Sequence, residues 1–392
     1  MSNEILIIFA LLFPIAWYFG YRNGKQSGKS EVNDKSAGLS RQYFTGLNYL
    51  LNEQSDKAID TFVSLLEVDS ETVETHLALG NLFRKRGEVD RAIRIHQNLI
   101  ARPSLSAKHR KMSLLELGDD YMAAGLLDRA EHIFKELVLD PQHKQASLSQ
   151  LLQIYQQTKD WQNAIKVAEK LHLGDAPERR KEIAHFYCEL AEEFIFEQSM
   201  REAVNQVKKA LSIDPSCARA TLISGTIHYN NGRYKKAIKS YRDLMHQNIN
   251  LLPEAIDNIR AAFIQLSDQR GFIKFLEQSI EAGAGISVIL SYAQELQVEQ
   301  GDKVAADFIA RQMVKHPSIK GLLKLINLHL KHASETAKPS LQMLHDVVTK
   351  LLKNKPVYHC NHCGFDTKTL FWQCPGCKSW GSVEPIQGIE GE

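Results

Sequence analysis

A small residue that recurs at a nearly constant interval most restricts how this 392-residue chain can fold. Between residues 39 and 251, alanine returns six times at intervals of 34, 38, 34, 39 and 34 residues. These alanines, called the phase alanines below, are Ala58, Ala92, Ala130, Ala164, Ala203 and Ala237. Because each lies among apolar residues at helical spacing, the pattern predicts a periodic array of helices in close contact.

Two further positions repeat with the phase alanines. Twelve residues earlier the chain has Gly46, Gly80, Gly118, Leu152, Ala191 or Gly225. Four residues later it has Phe62, His96, Phe134, Ala168, Val207 or Tyr241. Large residues fill the space that small ones leave, which predicts antiparallel helix pairs whose apolar faces are covered by neighbouring pairs. A period of 34 residues is typical of tetratricopeptide repeats, and six units in phase argue against an irregular helical bundle.

Prolines mark the ends of several predicted units, at Pro103, Pro141 and Pro215. Proline ends a helix because it lacks an N–H donor and clashes with the preceding turn. Beyond residue 251 the phase weakens, although segments 253–266, 272–282, 291–315, 319–332 and 341–353 still have helical patterns. We predict degenerate repeats and capping helices at 252–355, the last helix covering the final apolar face of the solenoid.

The first helix of such a unit lines the concave groove. The tetratricopeptide pattern places groove positions at Glu74, Leu77, Asn81, Arg84 and Lys85 in one unit and at Arg219, Leu222, Thr226, Tyr229 and Asn230 in another. Mixed polar and apolar surfaces of this kind suit an extended peptide or a protein face better than a metabolite. Each of these residues is equally compatible with a plain solvated surface, so the pattern names no ligand.

Residues 5–21 form a run of 17 without a formal charge. As a helix this run would measure about 25 Å, enough to cross a bilayer when flanking groups adapt. Trp17, Tyr18 and Tyr21 crowd one end, as expected at a membrane interface. A retained anchor is therefore predicted; a cleaved signal peptide would carry a positive start and small residues at the cleavage site, and a buried core helix is the third alternative.

Positive residues follow this run rather than precede it. They are Arg22, Lys25, Lys29, Lys35 and Arg41. Because positive flanks stay in the cytoplasm, we predict a single-pass protein whose N-terminus is periplasmic and whose bulk is cytoplasmic. Residues 22–38, rich in Gly, Ser and Lys, are predicted to be a flexible tether. The overall composition is average, with 24% charged residues and a net charge of +2, and indicates neither nucleic acid nor an anionic surface as a partner.

Four of the six cysteines lie within 18 residues near the end of the chain. Cys360 and Cys363 form one Cys-x-x-Cys pair, and Cys374 and Cys377 form another ten residues later. Two such turns can supply four sulfurs to one tetrahedral metal ion, which favours a metal site over a thiol redox pair or free cysteines. Four sulfurs leave no position for water or substrate, so the site would be structural or, with iron, redox-active. The spacing does not choose between zinc and iron.

Around the cysteines lie Phe365, Phe371, Trp372 and Trp380, which could shield the metal and pack on the repeats. Cys188 and Cys217 are predicted to be buried residues without chemistry of their own. Residues 355–392 contain three lysines and four acidic residues, and their net charge of −1 disfavours nucleic-acid binding. No nucleophile–base pair, phosphate loop or paired carboxylates stand out, so we expect no enzymatic activity.

The order of these parts, an anchor, eight or nine repeats and a CNHCG…CPGC ribbon, resembles the bacterial lipopolysaccharide assembly protein B family over essentially the whole chain. The resemblance implies an inner-membrane adaptor that limits lipopolysaccharide synthesis. Its implied partners are a membrane-bound AAA+ zinc protease, the cytosolic deacetylase of the lipid A pathway and other lipopolysaccharide assembly proteins. The metal ligands of the family fall on Cys360, Cys363, Cys374 and Cys377.

One departure from a rubredoxin is Lys378, which follows Cys377 where glycine is usual, and the two pairs are also unusually close. Both features weaken an alternative function, that of a rubredoxin-like electron-transfer protein docked to a partner through the repeats. A generic envelope-assembly scaffold is a further alternative.

The sequence thus predicts an all-α fold: a right-handed tetratricopeptide solenoid with an N-terminal transmembrane helix and a small rubredoxin-like zinc-ribbon domain built on four cysteines. The predicted domains are an anchor at 1–21, a tether at 22–38, six repeats at 39–251, degenerate repeats and capping helices at 252–355, and a metal ribbon with a tail at 356–392.

Overall fold

A computed structural model describes residues 70–171 and 177–392, together with single positions between 44 and 61. The predicted anchor at 1–21 and tether at 22–38 lie outside the described residues. Within the described part of the chain, no helix combines the length and the apolar character needed to cross a membrane.

The described chain is mostly helical and divides into two compact units between Ile154 and Tyr155. The helices up to residue 230 are α1 (Ser70–Lys85), α2 (Val89–Ile100), α3 (Ala107–Ala123), α4 (Leu127–Leu137), α5 (Lys144–Thr158), α6 (Trp161–Lys170), α7 (Pro177–Phe196), α8 (Met200–Ile213) and α9 (Ala218–Asn230). The later helices are α10 (Tyr234–Gln247), α11 (Ile256–Gln265), α12 (Gln269–Glu281), α13 (Ile286–Gln300), α14 (Asp302–Lys315), α15 (Ile319–His332) and α16 (Lys338–Asn354).

Helices pack in pairs, and the pairs stack, as predicted for tetratricopeptide repeats. In the first unit α1 packs on α2 and α3 on α4, while α1 also contacts α3. In the second unit α7 packs on α8, α9 on α10 and α13 on α14, and α7 contacts α9 in the same way. Contact between the first helices of successive pairs is what buries a continuous core in a repeat array.

Size complementarity between the two helices of a pair is present at Gly80, Gly118 and Gly225. All six phase alanines are completely buried. A Cβ atom on Gly118 would lie 2.7 Å from the Phe134 ring, and one on Gly80 or Gly225 would collide with the ring of His96 or Tyr241. The ring on the second helix therefore occupies the space that a side chain at the glycine position would fill.

The turn between paired helices repeats even where the sequence phase weakens. Five residues before each phase alanine from Ala92 onward, one residue has a positive φ: Gly87, Gly125, Lys159, Gln198 and Gly232. A positive φ also recurs at Ser267 and Gly301, five residues before Phe272 and Ala306, which therefore take the position of a phase alanine. The repeat geometry thus continues beyond residue 251. The alanine pattern does not reveal this, because Phe272 stands where the earlier repeats have alanine.

Two expected segments differ from the structure. The helix predicted for 253–266 begins at Ile256, because Pro253 lies inside a preceding 3-10 helix, Ile249–Ala255. The capping helix α16 is also longer than expected, and only part of its apolar surface is covered. Val348 is buried, whereas Met343, Leu344, Val347 and Leu351 are exposed. The cap therefore covers the preceding helix but leaves an apolar face of its own.

We predict that Gly118→Ala destabilises the fold by about 1–3 kcal/mol, because the new Cβ overpacks against the Phe134 ring. Phe134→Leu should relieve the collision, so the double variant Gly118→Ala/Phe134→Leu should lose less stability than the two single changes together. Urea unfolding of the four proteins measures this coupling. Strictly additive losses would contradict the proposed contact.

Candidate metal centre

A small antiparallel sheet places the first cysteine pair. Strand β1 (Tyr358–Cys360) lies between β2 (Asp366–Thr367) and β3 (Val383–Pro385), and Tyr358 pairs with both Thr367 and Pro385. Cys360 is the last residue of β1, so the chain turns back immediately after it. The backbone N–H of Cys360 donates to the Phe365 carbonyl at 2.9 Å, and that of Gly364 donates to the Cys360 carbonyl at 2.9 Å.

The second cysteine pair repeats this turn almost bond for bond. The backbone N–H of Cys374 donates to the Ser379 carbonyl, and that of Lys378 donates to the Cys374 carbonyl, both at 2.9 Å. The residue after each pair has a positive φ, +79° at Gly364 and +61° at Lys378. Lys378 therefore adopts the left-handed conformation that glycine usually provides, at a cost on the order of 1 kcal/mol. The departure from the rubredoxin pattern changes the residue but keeps the turn.

The two turns bring the four sulfurs of the predicted ligand set together. All four Sγ atoms lie within 4.8 Å of one another. The Cys360 and Cys377 sulfurs are 3.8 Å apart, and those of Cys363 and Cys374 are 3.7 Å apart. A tetrahedron with metal–sulfur bonds of about 2.3 Å has edges of about 3.8 Å, whereas a disulfide requires about 2.05 Å. The cluster therefore fits one tetrahedral metal ion.

Hydrogen bonds at Cys360 and Cys377 favour thiolates, the form that binds metal. At Cys363 the backbone N–H of Phe365 acts in the same direction, but desolvation and hydrogen bonds to the neighbouring sulfurs raise its pKa to about 12. The Ser379 hydroxyl and backbone N–H lower the pKa of Cys377 to about 5. Burial raises the pKa of Cys360, but hydrogen bonds from the Ser382 hydroxyl and from the backbone N–H groups of Cys363 and His362 more than offset this and lower it. These donors are the backbone and hydroxyl groups that the Cys-x-x-Cys turn presents to sulfur.

Exposure differs among the four sulfur-bearing residues. Cys360 and Cys374 are buried, Cys377 is intermediate and Cys363 is exposed. Cys188 and Cys217 are buried elsewhere, with their sulfurs 3.9 Å apart, as expected for residues of the repeat core. The cluster therefore has one sulfur edge close to solvent and the opposite edge inside the ribbon.

The ribbon packs on the repeats through Trp380. This side chain is only 8% exposed. Its ring stacks on His185, with centroids 5.3 Å apart, and meets Trp161 and Phe186 edge-on at 5.8 Å and 5.6 Å. Because Trp380 lies three residues after Cys377, the second cysteine turn sets the position of the ring that docks the ribbon.

Gly381 allows the ribbon backbone to approach helix α7 closely. Its carbonyl accepts a hydrogen bond from Lys181 Nζ at 2.9 Å, and its φ is +55°. A Cβ atom here would lie 2.7 Å from both His185 Nε2 and Lys181 Cε. Burial, with the nearby cations Arg219 and Lys181, lowers the pKa of His185 well below its usual value, so His185 is neutral beneath the ribbon.

Further hydrogen bonds join the ribbon to the later repeats. The Tyr358 hydroxyl donates to Glu254 at 2.6 Å, the Asn248 amide donates to Glu384 at 2.7 Å, and the Gln373 amide donates to Gln156 at 3.1 Å. Burial and the Glu254 carboxylate raise the pKa of Tyr358 well above its usual value. The ribbon is thus attached to the second unit along its whole length.

The chain was next compared with known proteins. The family described as "Rubredoxin metal binding domain" matches residues 358–385, and tetratricopeptide repeat families match 75–108 and 188–247. Lipopolysaccharide assembly protein B of Escherichia coli K12 is 40% identical over 388 residues, which cover 99% of this chain and 100% of that protein. The chain belongs to the lipopolysaccharide assembly protein B family.

A second member, from Haemophilus influenzae, is 35% identical over 390 residues, covering 97% of this chain and 98% of that protein. Among solved structures, a tetratricopeptide repeat protein from Parabacteroides merdae covers 71% of this chain and 100% of that one at 12% identity, with a TM-score of 0.32. The two lipopolysaccharide assembly proteins B confirm, at the level of the family, the resemblance read from the sequence.

The predicted groove positions have mixed outcomes in this family member. Leu77 is buried in the core with Val73 and Leu99, so its assignment to the groove is wrong. Arg84 forms ion pairs with Glu116 and Asp120 of the next repeat. Leu77 and Arg84 therefore hold the repeats together and are not part of an open binding surface.

Arg219 is the groove position that the ribbon occupies. It is 2% exposed, its guanidinium binds Glu189 and Glu192, and the ring of Trp372 lies 5.5 Å from it. The ribbon therefore covers part of the surface predicted to receive a partner. The aromatic residues of the ribbon indicated that it could pack on the repeats. No sequence spacing, however, predicts that Trp380 contacts His185.

We predict that Cys374→Ser lowers the bound metal from one ion per chain to a small fraction, because metal binding and ribbon folding are one equilibrium. Elemental analysis of the purified full chain measures this. Cys188→Ser, which changes a buried cysteine outside the cluster, is the matched control and should keep its metal. Stoichiometric metal in Cys360→Ser/Cys374→Ser would contradict the assignment.

We predict that Gly381→Ala releases the ribbon from α7, because alanine is strained at this φ and its Cβ collides with His185 and Lys181. Hydrogen exchange of α7 should increase. Gly388→Ala is the control, since Gly388 also has a positive φ (+99°) but no atom within 4 Å of an added Cβ. Equal protection of α7 in both variants would refute the docking role of Gly381.

Proposed function

We propose that this protein is a non-enzymatic adaptor on the cytoplasmic side of the bacterial inner membrane that limits lipopolysaccharide synthesis. It brings the lipid A pathway deacetylase to a membrane-bound AAA+ zinc protease and contacts other lipopolysaccharide assembly proteins. The observation that carries the proposal is the near-full-length similarity to lipopolysaccharide assembly protein B of Escherichia coli K12. The stacked helix pairs support it, since repeat arrays offer extended surfaces for protein partners.

In this proposal, residues 5–21 anchor the chain in the membrane and the repeats bind its partners. Confinement to a membrane raises the local concentration of an anchored protease near a captured substrate. Modest affinities for each partner then suffice, because the adaptor converts a three-body encounter into binding at one surface.

The four cysteines Cys360, Cys363, Cys374 and Cys377 are proposed to ligate one metal ion, zinc or iron. When bound, such an ion supplies four metal–sulfur bonds that hold the two cysteine turns together. The chain's own residues do the rest: Ser379 and Ser382 favour the thiolates, and Trp380 joins the ordered ribbon to the repeats. The proposed role of the site is therefore structural.

Electron transfer is a second candidate function, favoured by the exposure of Cys363. A sulfur near the surface could couple an iron centre to a docked partner. Reversible bleaching of a visible absorbance by dithionite would support this candidate. A colourless, zinc-loaded and fully active protein would exclude it.

We predict that depletion of the protein lengthens the half-life of the deacetylase several-fold and raises lipopolysaccharide. Pulse-chase labelling with immunoprecipitation measures the half-life. Re-expression of the full chain should restore rapid turnover, whereas residues 22–392 at native abundance should not, because the proposed mechanism requires residues 5–21 to confine the protein to the membrane.

An unchanged deacetylase half-life on depletion would remove the protease mechanism. Crosslinking in membranes then distinguishes a generic scaffold, since it would capture other envelope enzymes in place of the protease and the deacetylase. Full activity of residues 22–392 would remove the anchor from the mechanism while leaving the adaptor role.

A further inference from the structure

Helix α16 presents an apolar stripe to solvent. Met343, Val347 and Leu351 lie four residues apart and are 68%, 49% and 50% exposed, and Leu344 beside them is 44% exposed. Residues spaced by four share one face of a helix. Single exposed apolar residues are common on proteins, but four on one helical face mark an interaction surface.

The same region carries a concentration of positive charge. Residues 319–355 contain seven lysines and two acidic residues, a net charge of +5, against +2 for the whole chain. Three of these lysines, Lys320, Lys331 and Lys355, form ion pairs with acidic residues outside the segment. Lys338, Lys350 and Lys353 belong to α16 itself and are exposed.

The position of Lys350 relates the charge to the stripe. It lies one residue before Leu351 and three after Val347, so its side chain borders the apolar face on the helix surface. Lys353 follows on the same polar side. Asp346 lies on the same side, so the border carries two lysines and one acidic residue. A helix with an exposed apolar stripe and a net positive border fits the boundary between the head groups and the acyl chains of an anionic bilayer.

We propose that α16 docks on the surface of an anionic lipid membrane, with Met343, Leu344, Val347 and Leu351 among the acyl chains and Lys350 and Lys353 at the lipid phosphates. Charge complementarity favours an anionic membrane over a second copy of the chain at this surface. Two copies of the face would oppose lysine to lysine, and four partly exposed side chains offer on the order of 400 Å², below the roughly 800 Å² per partner of a stable protein interface.

Docking of α16 goes beyond the adaptor role and rests on the proposed membrane attachment. Once residues 5–21 hold the chain at the bilayer, a weak second contact forms at high local concentration. A repeat array attached at two places would present its partner surface in a restricted orientation. The anchor alone, followed by the tether, would leave that orientation free.

The test uses the full chain in lipid nanodiscs with a photoreactive benzoylphenylalanine at position 347. Thr349, exposed on another side of the same helix, is the matched control position. In discs of phosphatidylcholine with phosphatidylglycerol we expect lipid adducts at 347 at a level on the order of fivefold above those at 349, measured by mass spectrometry. In phosphatidylcholine alone the adducts at 347 should fall to about the level at 349, because Lys350 and Lys353 lose their attraction to a negatively charged surface.

Lys350→Gln/Lys353→Gln, which removes the positive charges without reversing them, should abolish the difference between the two lipid compositions without changing metal content or thermal unfolding. In discs that contain phosphatidylglycerol, equal labelling at 347 and 349, no lipid adducts at 347, or adducts to a second copy of the chain would each overturn the proposal. Entry of the protein into discs reports the anchor and labelling at 347 reports α16, so a failure of either is seen separately.

Discussion

The close approach of two helices, where a glycine or alanine faces a large side chain, is the contact on which the rest of this structure depends. Gly225 leaves space for the Tyr241 ring, and Gly118 does the same for Phe134. The first helices of successive pairs also stack, as α7 does on α9. That stacking places His185 of α7 and Arg219 of α9 beneath the same small domain, where they meet Trp380 and Trp372.

The metal cluster and the docking surface belong to one structural element. A single turn contains Cys377, Lys378 and Trp380. An ordered cysteine turn therefore also fixes the position of the Trp380 ring, which docks on His185. Metal binding to small Cys-rich domains is worth about 10–16 kcal/mol, whereas burying one large side chain contributes about 1.5–3 kcal/mol. We therefore expect control to run from the ion to the interface: loss of metal should release Trp380, whereas loss of one docking contact should not release the metal.

Much of this architecture could be predicted from the sequence, because it depends on local patterns. The phase alanines, their large partners and the Cys-x-x-Cys pairs each lie within one repeat or one turn, where spacing determines geometry. The continuation of the repeats was hidden because Phe272 replaces a small residue while Ser267 keeps the left-handed turn. The left-handed Lys378 was equally hidden, since a turn can accept a non-glycine residue at a modest energetic cost. Ribbon docking joins residues about two hundred positions apart, and no periodic signal spans that distance.

Docking of the ribbon also changes where a partner can bind. Arg219, which the repeat pattern assigns to the groove, is already held by two glutamates and covered by Trp372. A protein that approaches α7 and α9 therefore meets the outer face of the ribbon, including the exposed Cys363 turn, before it reaches the helices. The side chain of Glu392 lies at the beginning of α13, where it accepts hydrogen bonds from the Ser287 hydroxyl at 2.6 Å and from the Ser287 backbone N–H at 3.0 Å. Helices and ribbon thus form one surface around Arg219, and under the proposed adaptor role a change in the cysteine cluster is expected to alter the surface that a partner contacts.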